Sequence, residues 1–416
     1  MTADDIHEVQ ARAFFAQGNF TAAEPLFRKA IVASPGNARA YYNLGVTLAK
    51  LDRPEEAIAC YRAAIERDPG FADAYTNFGF CLNELNLIAQ ARQAFAIART
   101  IVPDEPVPML NEGIAALALG DYEAGWDGFA ARWHLPAYAK FQRGYPQPAW
   151  RGENLDGQTL FLYAEQGFGD SIQMARFIPV LAAQGAQVIA EVPPALVGLM
   201  QSVAGVAKII TKGDEPPEFD YHCAMMDVPL GYGLTLGNLP ADIPYLFAAA
   251  ETVVSYRELM PSIGKRRVGL SWAGRSSHEN DRKRSLGLAQ FNDLILGGYC
   301  EWASLQRVVP ESDVAVLEAH SESDDLLDWG RAFADFAETA AAIVALDLVL
   351  TVDTAIAHLA GALGKPVWVL LPFHADWRWM VGREDSPWYP TARLFRQEKR
   401  GDWESVLRKV AAALAE

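Results

Sequence analysis

A block of sequence that returns every 34 residues constrains this chain more than any other feature. Ala40-Tyr41-Tyr42-Asn43-Leu44-Gly45 reappears as Ala74-Tyr75-Thr76-Asn77-Phe78-Gly79, and Asn111-Glu112-Gly113 falls one step further along. Phe27, Tyr61, Phe95 and Phe129 keep the same step, as do Pro35, Pro69 and Pro103, and Ala23, Ala57 and Ala91, the last series ending at Gly125. Such a unit reads as two amphipathic helices. The small residues let them approach, the aromatic fills the contact, and the proline, which has no N–H, stops the second helix. One pair cannot bury its apolar face alone, so the units must stack into a solenoid with a concave groove.

The pattern resembles tetratricopeptide (TPR) repeats, three well-kept copies and a decayed fourth across residues 4–139, and it assigns residues 1–140 to a repeat domain. Asn43, Asn77 and Asn111 sit one repeat apart before the packing glycine, which sets a column of carboxamides along the groove. A carboxamide both donates and accepts, so a ladder of them grips an extended backbone without reading its side chains. The column resembles the asparagine ladder of O-GlcNAc transferases, which implies a polypeptide partner. Asparagine is also common there in repeats of every function, and spacing does not choose between the two.

At 416 residues the chain is too long for one ordinary core. A net charge of −16 makes it a poor candidate for neutralising a nucleic-acid backbone or inserting into an anionic membrane. Cys60, Cys81, Cys223 and Cys300 form no CxxC, and the seven histidines, His278 among them, form no i, i+4 pair, so neither a disulfide framework nor a zinc site is expected. The start, Met-Thr-Ala-Asp-Asp-Ile-His-Glu, has neither the basic nor the apolar part of a secretion signal, and no apolar run reaches membrane-spanning length. The expectation is a cytoplasmic protein; oligomeric state is left open.

Residues 141–157, with Gly144, Pro146, Pro148, Gly152 and Gly157, read as a linker. Apolar strands then alternate with helices. Thr159–Ala164, Gln187–Val192 and Ala207–Ile210 form one series; Arg267–Trp272, Trp302–Leu305, Leu346–Val352 and Pro366–Leu371 form another. The expected architecture is an α-solenoid followed by α/β: two Rossmann-like domains, 158–262 and 263–416, facing a cleft. Ligands in such sheets lie at the carboxyl ends of the strands, where the polar motifs of this chain fall.

Three motifs carry chemistry. Gly167-Phe168-Gly169-Asp170 is a glycine turn opening a helix, but Ile172 breaks the dinucleotide fingerprint, and a helix N-cap or first-turn acid is by itself a sufficient reason for Asp170. Thr351-Val352-Asp353-Thr354-Ala355-Ile356-Ala357-His358 is a strand end and helix start suited to a diphosphate, with His358 one turn in; a satisfied helix histidine is the plain alternative. From Lys265 to Arg284 stand seven basic residues, Arg275, Lys283 and Arg284 among them, against the acids Glu279 and Asp281; a solvated loop would look the same.

Together with Trp272-Ala273-Gly274 and the run Asp353 to Pro366, these motifs resemble the heptosyltransferase-like glycosyltransferases of GT-B fold, in their bacterial TPR-linked branch. The resemblance extends to Asp376-Trp377-Arg378-Trp379 and Ser386-Pro387-Trp388-Tyr389-Pro390. It implies a sugar moved with inversion from a nucleotide-sugar to a protein acceptor, flagellin being one setting. Asp170 would be the general base. Gly167, Gly169, Arg275, Lys283, Arg284, Asp353, Thr354 and His358 would lie on the donor side. Gln306 either faces the cleft or is core-edge polarity. No Asp-x-Asp occurs, so neither metal nor cofactor is expected.

Overall fold

A computed structural model describes residues 3–261, 264–276 and 281–416, so His278 and Glu279 lie outside the described residues. The chain divides into two compact units: the stretch up to Gln142 joined by Asp376–Val381, and Arg143–Ala375 joined by Gly382–Glu416.

The first unit is four helix pairs: α1 (Ala3–Ala16) with α2 (Phe20–Ala33), α3 (Ala38–Lys50) with α4 (Pro54–Arg67), α5 (Ala72–Glu84) with α6 (Ile88–Ile101), and α7 (Pro106–Ala118) with α8 (Tyr122–Phe129). Side-chain caps start several of them. Asn19 accepts from the Ala22 N–H, Asn37 from Ala40 and Asp121 from Ala124. Pro54 and Pro106 occupy the first turn, where a missing N–H costs nothing. Helices α2, α4 and α6 each end two residues before Pro35, Pro69 and Pro103.

Close approach at glycine sets the spacing within each pair. A Cβ on Gly45 would lie 2.7 Å from the Tyr61 ring, and one on Gly79 would lie 2.6 Å from the Phe95 ring. The fourth pair departs from this scheme. A Cβ on Gly113 would meet backbone, 2.7 Å from both the Gly128 carbonyl carbon and the Phe129 nitrogen. With α7 and α8 packed backbone to backbone, the Phe129 ring is displaced to Trp126, at a centroid distance of 5.6 Å. Trp377 completes this cluster edge-on, 5.2 Å from Trp126, while the Val381 N–H donates to the Ala118 carbonyl. A segment remote in sequence thus finishes the last repeat.

The second unit holds two all-parallel sheets. The first contains β1 (Thr159–Tyr163), β2 (Gln187–Val192), β3 (Val206–Thr211) and β4 (Tyr221–Ala224) in the order β3-β2-β1-β4. The second contains β5 (Arg266–Ser271), β6 (Cys300–Ser304), β7 (Leu327–Asp328), β8 (Leu348–Val352), β9 (Val367–Leu371) and β10 (Ala392–Arg396) in the order β10-β9-β8-β5-β6-β7. Central strands β1 and β8 are buried along nearly their whole length, which is why they read as continuous apolar runs. The sequence reading of 141–157 as a linker needs one correction. The Trp150 N–H donates to the His222 carbonyl and the His222 N–H to Pro148, so the end of that stretch pairs beside β4.

Gly113→Ala is expected to destabilise the chain by about 1–3 kcal/mol, because neither backbone can yield the space. Gly36→Ala, where nothing lies within 4 Å of the new methyl, should stay within about 0.5 kcal/mol of the parent. Urea unfolding followed by tryptophan fluorescence distinguishes them, and equal midpoints would refute the backbone-contact account.

Candidate functional site

Both strand orders reverse direction about one strand, β1 in the first sheet and β5 in the second, with β4 and β8 beginning the opposite limb. At such a switch point adjacent loops part and leave a crevice at the carboxyl edge. The loops bordering these crevices are those after β1 and β4, and those after β5 and β8. All three motifs singled out in the sequence lie on or next to them.

At the second sheet, the turn after β5 is held by Gln306. Its Oε1 accepts from the Ser271 hydroxyl at 3.1 Å and from the Trp272 and Ala273 N–H groups at 3.2 Å; its Nε2 donates to the Ala273 and Val308 carbonyls at 2.9 Å. The carboxamide is therefore bonded to the turn through both its oxygen and its nitrogen. The indole of Trp272 donates to buried Asp313 at 2.7 Å and anchors the same turn from below.

Arg284 ties the basic segment to the loop after β8, donating from Nη1 to the Asp353 carbonyl at 2.9 Å and pairing with Asp281 at 3.6 Å. Arg275 and Lys283 are exposed. The helix Ala355–Ala362 is capped by Thr354, whose hydroxyl accepts from the Ile356 N–H; half-buried Asp353 stands just before the cap. His358 is buried on the first turn of that helix, and its Nδ1 is 2.9 Å from the Tyr389 hydroxyl.

At the first sheet, helix α9 (Phe168–Met174) follows β1 through Gly167. Oδ2 of Asp170 accepts from the Gly167 N–H at 2.8 Å, the helix-start role anticipated as its plain alternative. Gly169 is in close contact with the helix Ala355–Ala362 of the second sheet. A Cβ there would stand 2.7 Å from His358 Cδ2 and 3.5 Å from the Ala355 Cα. Asp170 and His358 thus arrive at one place, brought together by direct packing of α9 on the Ala355–Ala362 helix. On β2, beside Tyr163 of β1, Glu191 is fully buried, with Arg143 at 2.5 Å; burial pushes its carboxyl up while Arg143 and Lys212 pull it back.

Sequence reasoning missed two residues that position this site. Arg176 directly precedes helix α10 (Phe177–Ala183), with only 2% of its surface exposed, and Tyr389 lies between β9 and β10. A lone arginine within the apolar run Ile172 to Ile178 was the available signal. In the solenoid, Asn77 Nδ2 donates to the Tyr42 hydroxyl and Asn111 Nδ2 to the Val107 carbonyl, both at 2.8 Å, while Asn43 is half-buried on α3. Two rungs of the ladder are therefore occupied by partners from the repeats themselves. Among the described residues no group of three or more His, Cys, Asp or Glu could hold a metal, and no helix is long and apolar enough to cross a membrane.

Gln306→Leu removes the acceptor of three buried donors and is expected to cost about 2–4 kcal/mol. Thermal unfolding of the variant checks this, and a loss under about 1 kcal/mol would show that water replaces the carboxamide.

Comparison with known proteins agrees on the repeats. Residues 9–70 and 60–93 match the tetratricopeptide repeat family. Protein FlbA of Caulobacter vibrioides is 25% identical over 320 residues, 72% of this chain and 53% of FlbA, so the chain spans about half the length of this curated relative. Among solved structures, MamA is 20% identical, covering 34% of this chain and 82% of its own at a TM-score of 0.31. YrrB, described as a TPR protein with an unusual peptide-binding site, is 21% identical and covers 34% and 75% at 0.30. The chain carries a TPR α-solenoid in its N-terminal region, followed by a parallel-sheet α/β region.

Proposed function

We propose that this chain is a metal-independent glycosyltransferase of GT-B type, moving a sugar from a nucleotide-sugar to a polypeptide held by the solenoid groove. The observation that carries the reading is the meeting of the glycine turn, at Gly169–Asp170, with the capped helix start at Thr354–His358, each at the carboxyl edge of its own parallel sheet. In this reading Asp170, whose Oδ2 accepts from the Gly167 N–H, takes the proton of an acceptor hydroxyl. The acceptor oxygen bonds to the anomeric carbon as the carbon–phosphate-oxygen bond breaks, and the electron pair leaves on the phosphate. Arg275, Lys283 and the N–H groups after Thr354 neutralise that charge, while Arg284 holds the loop on which they act. Flagellin is the acceptor that the family resemblance suggests.

A second reading, a peptide-binding adaptor without transferase activity, is favoured by one observation: Gly169 and His358 already fill the space between the two helix starts.

Titration of the full chain with UDP, GDP, ADP and CMP, in EDTA and in magnesium, separates the readings. One nucleotide should bind equally in both buffers, with about tenfold weaker affinity in Arg284→Ala. Asp170→Asn should bind it within threefold of the parent yet lose about 10²–10⁴-fold in transfer rate. Binding by none of the four would leave the adaptor.

A further inference from the structure

Two phenylalanine rings meet where connections of the two sheets come together, and neither carries a role in the motifs read from the sequence. Phe168 is the first residue of α9, between Gly167 and Gly169, and 39% of its surface is exposed. Phe336 opens the helix Phe336–Ala345, which lies between β7 and β8, and is half-buried. The ring centroids are 5.1 Å apart and the planes are inclined by 60°. Each ring follows a strand of its own sheet, β1 in the first and β7 in the second, so both stand on the carboxyl side.

Both rings are held through the backbone. The Gly167 N–H donates to Asp170 Oδ2 at 2.8 Å across Phe168, and Gly169 on its other side is pressed against Ala355 and His358. Asp335 caps the second helix, its Oδ1 accepting from the Ala337 N–H at 2.8 Å and the Glu338 N–H at 3.0 Å. Contact with Phe336 steadies the Phe168 ring without covering it. Part of the apolar burial of that ring is therefore still to be gained when a ligand enters beside it.

An open aromatic ring accepts a flat apolar surface, and a nucleotide-sugar offers two: its nucleobase and the C–H face of its sugar. Position along that molecule decides between them. The nucleobase lies a ribose and at least one phosphate away from the anomeric carbon, whereas Phe168 is two residues from Asp170, the group that serves that carbon in the proposed function. The C–H hydrogens of a pyranose carry partial positive charge, which complements the negative face of an aromatic ring. We propose that Phe168, steadied by Phe336, is the stacking residue for the transferred sugar. It discriminates between donors by their sugar and not by their base. The inference rests on the transferase reading.

The test is calorimetric titration of the full chain with UDP, GDP, ADP and CMP, and with UDP-glucose, GDP-mannose, ADP-glucose and CMP-N-acetylneuraminate. The quantity read is the ratio of the dissociation constant of a conjugate to that of its free nucleotide. Phe168→Ala should raise that ratio about three- to tenfold, while the free nucleotide binds within about twofold of the parent. Phe168→Tyr keeps the ring and should keep the parent ratio; Phe336→Leu removes only the supporting ring and should raise the ratio by a smaller factor. An unchanged ratio in Phe168→Ala, an equal loss for nucleotide and conjugate, or a parent that binds a nucleotide but not its conjugate would overturn the stacking role and leave nucleotide binding in place. A parent that binds neither nucleotides nor conjugates would instead remove the transferase reading, and the stacking role with it.

Discussion

One buried cation organises the half of the molecule that carries the candidate site. Burying Arg176, with 2% of its surface exposed, removes its guanidinium from water at a cost of several kcal/mol, which only well-aimed acceptors offset. Its acceptors come from three separate stretches: the end of α9, the Pro240–Tyr245 segment, and Trp388 beyond β9. Three aromatic faces add cation–π attraction, worth about 2 kcal/mol where water is excluded. None of these stretches can shift without leaving a buried N–H unmatched. The first sheet's opening helix and the segment that closes on the second sheet's helix are thereby fixed to one point.

Contact at glycine then converts that fixed point into a site. Gly169 lets α9 come against Ala355 and His358, and Gly361 lets the Tyr389 ring lie against the same helix. Each glycine acts by the side chain it lacks, since both have ordinary backbone angles. The interior is packed too densely to absorb even one methyl at such places without displacement. The same device, turned to a different end, brings α7 onto α8 through Gly113 and Gly128 and forces Phe129 to find its cover in Trp377.

The solenoid was legible because its signal repeats; an error at one position is corrected by the same position 34 residues away. The longer strands were legible too, each as an apolar run bounded by turns. Strands β4, β7 and β10 were not. Tyr221–Ala224 and Leu327–Asp328 are too short to show a pattern, and Ala392–Arg396 places two arginines in an edge strand. At the site, the turn at Gly167–Asp170 and the helix start at Thr354 were read correctly as local structure. What failed was partnership. Nothing near Gln306 in sequence shows that its carboxamide serves Ser271, Trp272 and Ala273, about 35 positions earlier, and nothing near His358 points to Tyr389 and, through it, to Arg176. Local rules reach a few residues, whereas a hydrogen bond across a sheet depends on strand order.

Those unread partnerships change how the polar residues of this region are to be weighed. Gln306, Arg284 and Thr354 resemble ligand-binding groups by type and place, yet each is bonded within the protein: to a turn, to the Asp353 carbonyl, to the Ile356 N–H. Their bonds hold the backbone N–H groups and carbonyls of the two carboxyl edges in position before anything binds. Preorganised dipoles of this sort need no reorientation when charge develops near them, and that is where electrostatic stabilisation is most effective. Arg275 and Lys283, on the same segment as Arg284, are exposed. In a chain of net charge −16, a segment rich in basic residues attracts an anion locally while the rest of the surface repels it. Under the proposed function, recognition would divide into two parts: exposed charge that gathers the ligand, and a bonded interior that holds the carboxyl edges in place.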